Sequence, residues 1–137
     1  MNNAYSGEDR RRSKRLDVAF ILTYQINHPL SLRMITGAGI ETIALMLNLS
    51  ENGMAVSTNY NIPAATIIAM KFTLINLEAQ GDERTNSMKI TGEVKSNVLL
   101  GKNEYRLGIH FTQINDQDKV AIANFVKMAS IKKPQVV

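Results

Sequence analysis

From Leu16 onward, every second side chain is apolar: Leu16, Val18, Phe20, Leu22, Tyr24 and Ile26 alternate with Asp17, Ala19, Ile21, Thr23, Gln25 and Asn27. A helix would scatter such a series around its axis, whereas a strand sends all of it to one side. A strand this long needs a core under that side and cover for both edges. The pattern returns at Tyr105, Leu107, Ile109 and Phe111, set between Arg106, Gly108, His110 and Thr112. Four more strands are expected in between. They are residues 40–49, with Ile43, Leu45, Leu47 and Leu49 on one face, then Met54 to Thr58, Thr66 to Leu77 and Ser87 to Leu99. Asn52-Gly53 marks a hairpin turn between the second and third, and Gly101-Lys102-Asn103 a turn between the fifth and sixth. His28-Pro29 interrupts the first strand, because proline has no amide hydrogen for a ladder. A variable connection, residues 28–39, follows and ends in Gly37-Ala38-Gly39.

One helix is expected, after the last strand. Asn115 or Asp116 caps it, Asp118 puts negative charge in its first turn, and Ile122, Phe125, Val126 and Ala129 form one apolar stripe. Six strands and then one helix point to an all-β fold, a six-stranded antiparallel β-barrel with one C-terminal α-helix over an open end or side. The expected organisation is a flexible N-terminal arm over residues 1–9, the barrel domain over 10–129 and a C-terminal tail over 130–137.

Several kinds of chemistry have no residues to carry them. The 137 residues include no cysteine, so disulfides, thiolate metal sites and cysteine nucleophiles are excluded. His28 and His110 stand far apart without cysteine companions, so no zinc site is expected, and His110 falls on the polar face of its strand as a solvated histidine. No nucleophile–base pairing or carboxylate pair suggests catalysis, so the chain is expected not to be an enzyme and to need no cofactor. Met1 to Asp9 is polar and lacks the apolar stretch of a secretory signal. No run approaches the roughly 20 apolar residues of a membrane span. A cytoplasmic location is the simplest expectation.

The charge is concentrated. The formal net charge is +4, and Arg10, Arg11, Arg12, Lys14 and Arg15 contribute five positive charges within six positions. Such a local patch attracts phosphates or other anionic surfaces. Arg11 and Arg15 share a face in either an extended or a helical segment. Guanidinium forks grip phosphate at two points, pair with the O6/N7 edge of guanine and stack on its ring. About thirty residues later stands a polar turn, Asn48-Leu49-Ser50-Glu51-Asn52-Gly53. Asn48 offers amide donors and an acceptor to a base edge, Ser50 a hydroxyl, and Gly53 a positive φ and close backbone approach to a ligand. The turn also has a plain structural explanation, since an Asn-Gly hairpin needs no ligand and Ser50 can bond its own backbone.

The two segments together resemble the PilZ family, bacterial receptor modules for the second messenger cyclic di-GMP. The resemblance rests on an RxxxR formed by Arg11 and Arg15, extended by Arg10, and on an (Asp/Asn)-x-Ser-x-x-Gly filled by Asn48, Ser50 and Gly53. The closing strand Tyr105 to Phe111 and the amphipathic helix add to it, and it covers roughly residues 10–129. It implies a six-stranded barrel with the arginine motif on a flexible segment before the first strand, folding over the ligand. Arg11 and Arg15 would then meet phosphates and guanine edges. Asn48 and Ser50 would bond the base and a nearby phosphate oxygen, and Gly53 would keep the turn's shape. Arg10 holds the place that influences whether one or two ligand molecules bind. The expected function is a cyclic di-GMP receptor that passes its signal to a downstream protein by ordering its N-terminal arm, with no DNA, RNA or membrane span involved. The rivals are a ligand-independent protein adaptor and a small basic nucleic-acid-binding barrel. An aromatic content of 6% without tryptophan argues against the last.

Overall fold

The apolar strands bury their faces against one another by closing a sheet. The computed structural model describes residues 15–36, 41–75 and 85–132. It contains strands β1 (Leu16–His28), β2 (Thr42–Ser50), β3 (Gly53–Thr58), β4 (Ile67–Ile75), β5 (Thr85–Gly101) and β6 (Glu104–Gln113). A single 3-10 turn (Leu30–Leu32) and a short helix α1 (Arg33–Thr36) follow β1, and helix α2 (Asp116–Lys132) follows β6. Neighbours pair antiparallel in the order β1-β2-β3-β6-β5-β4, and β4 pairs back onto β1, so the sheet forms a closed barrel. The expected arm over residues 1–9 and loop residues 37–39 lie outside the described residues.

Leu22, Tyr24 and Ile26 of β1 and Leu107, Ile109 and Phe111 of β6 are buried, as their alternation predicts. Ile68, Met70, Ile90 and Val94 complete the middle of the core. Helix α2 lays the expected stripe on the barrel. Ile122 and Val126 are buried, Ala121 and Ala129 pack beside them, and the Phe125 ring lies 5.8 Å from that of Phe20. Asn115 caps the helix, its Oδ1 accepting the Asp118 N–H at 2.7 Å.

Two expectations need correction. In β2 the buried apolar residues are Ala44, Met46 and Leu49, while Ile43 is 66% exposed. The expected face of Ile43, Leu45 and Leu47 is the outer one. Residues 43–47 are apolar on both faces, so alternation could not fix the phase. A bulge between Met46 and Asn48 then shifts it by one, which brings Leu49 inside. The 28–39 connection also carries helical structure that one expected helix did not allow for. The Leu32 N–H donates to the Pro29 carbonyl at 3.1 Å, and Arg33 Nε donates to the Ile26 carbonyl at 2.8 Å. A four-residue helix is too short to show a period in sequence. Among the described residues, no helix is long and apolar enough to cross a membrane.

Tyr24 carries the one hydroxyl deep in the apolar set of β1. It is 1% exposed, and its Oη lies 2.8 Å from Thr58 Oγ1. Burial pushes its phenol up to about 12, with the Thr58 hydrogen bond acting in the opposite direction. An unfolded tyrosine ionises near pH 10. Between these values the unfolded chain releases a proton that the folded chain keeps, so stability is full below about pH 10 and falls as pH rises toward about 12. Urea denaturation should show this alkaline loss, roughly 2–3 kcal/mol for the Tyr24 share. Tyr24→Phe should flatten that share of the slope while costing about 1 kcal/mol at neutral pH. An unchanged slope in the variant would clear Tyr24 of the effect.

Candidate functional site

Asn48, Ser50 and Gly53 meet on the outer wall where β2 and β3 run side by side, next to the start of β1. Leu49 points into the core, so its neighbours Asn48 and Ser50 point outward, and both are nonetheless buried, at 8% and 3% exposure. Ser50 pairs with Gly53 across a two-residue turn made by Glu51 and Asn52. Gly53 is therefore the first residue of β3 and not a turn residue, which corrects the role expected for it. It does not occupy the left-handed region either. A Cβ at Gly53 would collide with the Ile109 carbonyl oxygen of β6, so close backbone approach is what demands glycine here.

Asn48 answers a need created by the bulge. The extra residue in β2 disrupts the ladder, and Asn48 Oδ1 accepts the Ala55 N–H at 3.1 Å. That bond fixes the amide's orientation, since only the oxygen accepts. Among the described residues nothing engages Nδ2, and no buried side-chain polar atom there lacks a partner. Nδ2 is thus an aimed donor with access to solvent. Ser50 Oγ accepts the Asn52 N–H and donates to the Gly53 carbonyl, both at 3.3 Å. These are long bonds, which leave the hydroxyl able to turn toward a stronger acceptor.

The register of β1 on β2 brings Arg15, the last residue of the arginine run, to this ledge. Leu16 pairs with Leu49 and Asp17 with Asn48, so Arg15, exposed and one step earlier, flanks Ser50. Arg10 and Arg11 lie outside the described residues. On the far side, β6 places Gly108 opposite Ala55 and His110 opposite Gly53. Ser50, Gly53, Ala55 and Gly108 thus form a strip of small side chains on the outer wall, bordered by Asn48 and by the exposed His110. Ser50 and Ala55 are almost fully covered, and the Ser96 hydroxyl of β5 occupies the space over Gly108. Sequence reasoning passed over Ala55, Gly108 and His110 as site residues. A glycine inside a strand, as at position 108, was the available signal for close approach.

The family model of the PilZ domain matches residues 9–128, and the chain belongs to the PilZ domain family. Its fold is similar to that of the Bacillus subtilis inhibitor of motility (MotI/DgrA), with a TM-score of 0.69 and 16% identity over 92% of this chain and 54% of that one. The chain therefore spans about half the length of that protein. It is also similar to the PilZ domain of YcgR from Escherichia coli, solved with c-di-GMP, with a TM-score of 0.57 and 14% identity over 90% and 93% of the two chains. A third similar structure is the Borreliella burgdorferi PlzA protein in complex with c-di-GMP, with a TM-score of 0.54 and 18% identity over 88% of this chain and 42% of that one. No curated protein sequence matches the chain. At these identities the likeness to solved structures is one of fold.

Asn48→Ala should leave the Ala55 N–H without its partner and cost about 1–3 kcal/mol in urea denaturation. Asn48→Asp should cost far less, since a carboxylate oxygen still accepts that hydrogen. Equal losses in the two variants would show that the bond to Ala55 does not hold the bulge.

Proposed function

We propose that this chain is a non-enzymatic receptor for cyclic di-GMP, bound on the outer wall of the barrel between the arginine segment and the Asn48–Gly53 ledge. The observation that carries this reading is the β1–β2 register, in which Arg15 flanks Ser50 and Asp17 pairs with Asn48. Arg15 and Ser50, distant in sequence, are brought near each other by that register, which supports a single site for the two motifs. Membership of the PilZ family supports the ligand class, as do the similar folds of YcgR and PlzA, both solved with c-di-GMP.

Each group has a chemical part in this reading. Arg11 and Arg15 grip the phosphates and the O6/N7 edges of the guanines. Arg10, just before the motif, adds a further cation and bears on how many ligand molecules bind. Asn48 Nδ2, held in place by the Oδ1 bond to Ala55, donates to a base or phosphate acceptor. Ser50 turns its hydroxyl to a phosphate oxygen, and a charged acceptor outcompetes the long bond to Gly53. Gly53 keeps the wall flat enough for the ligand to lie close. Binding then orders the segment over residues 8–16 against the barrel, and a downstream protein reads the ordered surface.

Titration calorimetry with cyclic di-GMP tests the reading. Arg11→Ala and Arg15→Ala should each weaken binding by about 1–3 kcal/mol, the scale of a lost bidentate contact, with the unfolding midpoint unchanged. No heat at high micromolar ligand would reject the receptor. Wild-type affinity in both variants would reject the arginine clamp.

A further inference from the structure

Two strands that close the barrel come apart along part of their length. β1 and β4 pair from His28 and Ile67 to Thr23 and Lys71, and there the ladder stops. At the same register Leu22 would face Phe72 and Ile21 would face Thr73. Both strands continue past this point, β1 paired to β2 as far as Leu16 and β4 paired to β5 as far as Ile75. Among the described residues each therefore presents an edge without a ladder partner, residues 19–22 on one lip and 72–75 on the other. A cleft of about 670 Å³ lies between the lips, with Ser87, Met88 and Lys89 of β5 on its wall. Ile21 and Ile75, one on each lip, are 63% and 48% exposed.

A free strand edge holds a row of backbone donors and acceptors, and the ligand that satisfies such a row best is another extended backbone. The rim sets the charge of that backbone's side chains. Lys71 and Lys89 are paired neighbours on β4 and β5. Lys71 Nζ binds Glu41 at 2.7 Å. That hydrogen bond and charge, with a smaller pull from Lys89, hold the Glu41 carboxyl below its usual range. Lys89 forms no ion pair among the described residues. Among the described residues, one carboxylate shared by two ammonium groups leaves the closed end of the rim positive. An inserted strand would turn alternate side chains inward, toward Leu22 and Phe72, and the others outward beside Ile21 and Thr73, with Lys71 and Lys89 at the closed end of the seam.

We propose that the seam between β1 and β4 docks an extended segment of a partner protein in which apolar residues alternate with acidic ones. The seam uses the edge of β1 opposite the one that meets Asn48 and Ser50, so the proposal stands apart from the cyclic di-GMP reading. Dinucleotide titration and seam docking can therefore fail separately.

Backbone NMR of the full chain provides the test, with two capped synthetic hexapeptides, one alternating Val and Glu and one alternating Val and Lys. In the free protein, the seam-facing amides of residues 19–22 and 72–75 should exchange far faster than those of Tyr24 and Ile26. The Val-Glu peptide should shift and protect those amides, binding at least about fivefold more tightly than the Val-Lys peptide. Lys89→Glu should remove or reverse that preference. Seam amides already protected in the free chain would overturn the proposal, as would equal binding of the two peptides or shifts confined to other strands. Concentration-dependent sedimentation abolished by Ile21→Glu would assign the seam to a second copy of the chain instead. Shifts by dodecanoate without amide protection would assign it to an anionic amphiphile. Either result would overturn the partner segment.

Discussion

The return of β4 onto β1 is the constraint on which the rest depends. Without it, two long strands with apolar faces would leave exposed edges, and Tyr24, Ile26, Ile68 and Met70 would lose their cover. Closure is made over Thr23 to His28 of β1, where the alternation is cleanest. It is absent over residues 19–22, where Phe20 packs instead against Phe125 of the C-terminal helix. One strand thus divides its length between sealing the barrel and meeting the helix. Its start also fixes where Arg15 stands beside the outer wall.

The outer wall between β1 and β6 shows how a candidate binding surface arises from ladder geometry. A bulge in β2 creates an unpaired amide, and Asn48 meets that need with its oxygen, which aims its nitrogen outward. The same bulge restores Leu49 to the core and so sets Asn48 and Ser50 on one side of the strand. Gly53 lets the β6 backbone at Ile109 come close to β3. The functional reading and the fold therefore draw on the same few residues, and a change at Asn48 or Gly53 touches both.

Legibility from sequence followed the strength of the local pattern. β1, β6 and the C-terminal helix were readable because polar and apolar residues alternate there with a single period. β2 was not, because Ile43 to Leu47 are apolar at every position and only pairing decides which side meets the core. The helical turns at Leu30–Thr36 were invisible because four residues hold no full period. In the site, residue types carried the chemistry: arginines for phosphate and guanine, an amide and a hydroxyl for polar edges. The reason for Gly53 was misread as a turn. The contact that requires glycine is made by Ile109, more than fifty residues further along the chain.

The sequence by itself determined the fold class, the family and the residue types of the candidate site, because alternation, charge clustering and motif spacing are local properties. The tertiary structure decided the phase of β2, the steric demand at Gly53, the bond that orients Asn48, the neighbourhood of Arg15 and Ser50, and the open seam between β1 and β4. Each of these depends on register between strands distant in the chain, and a register is a property of pairs that no single strand encodes.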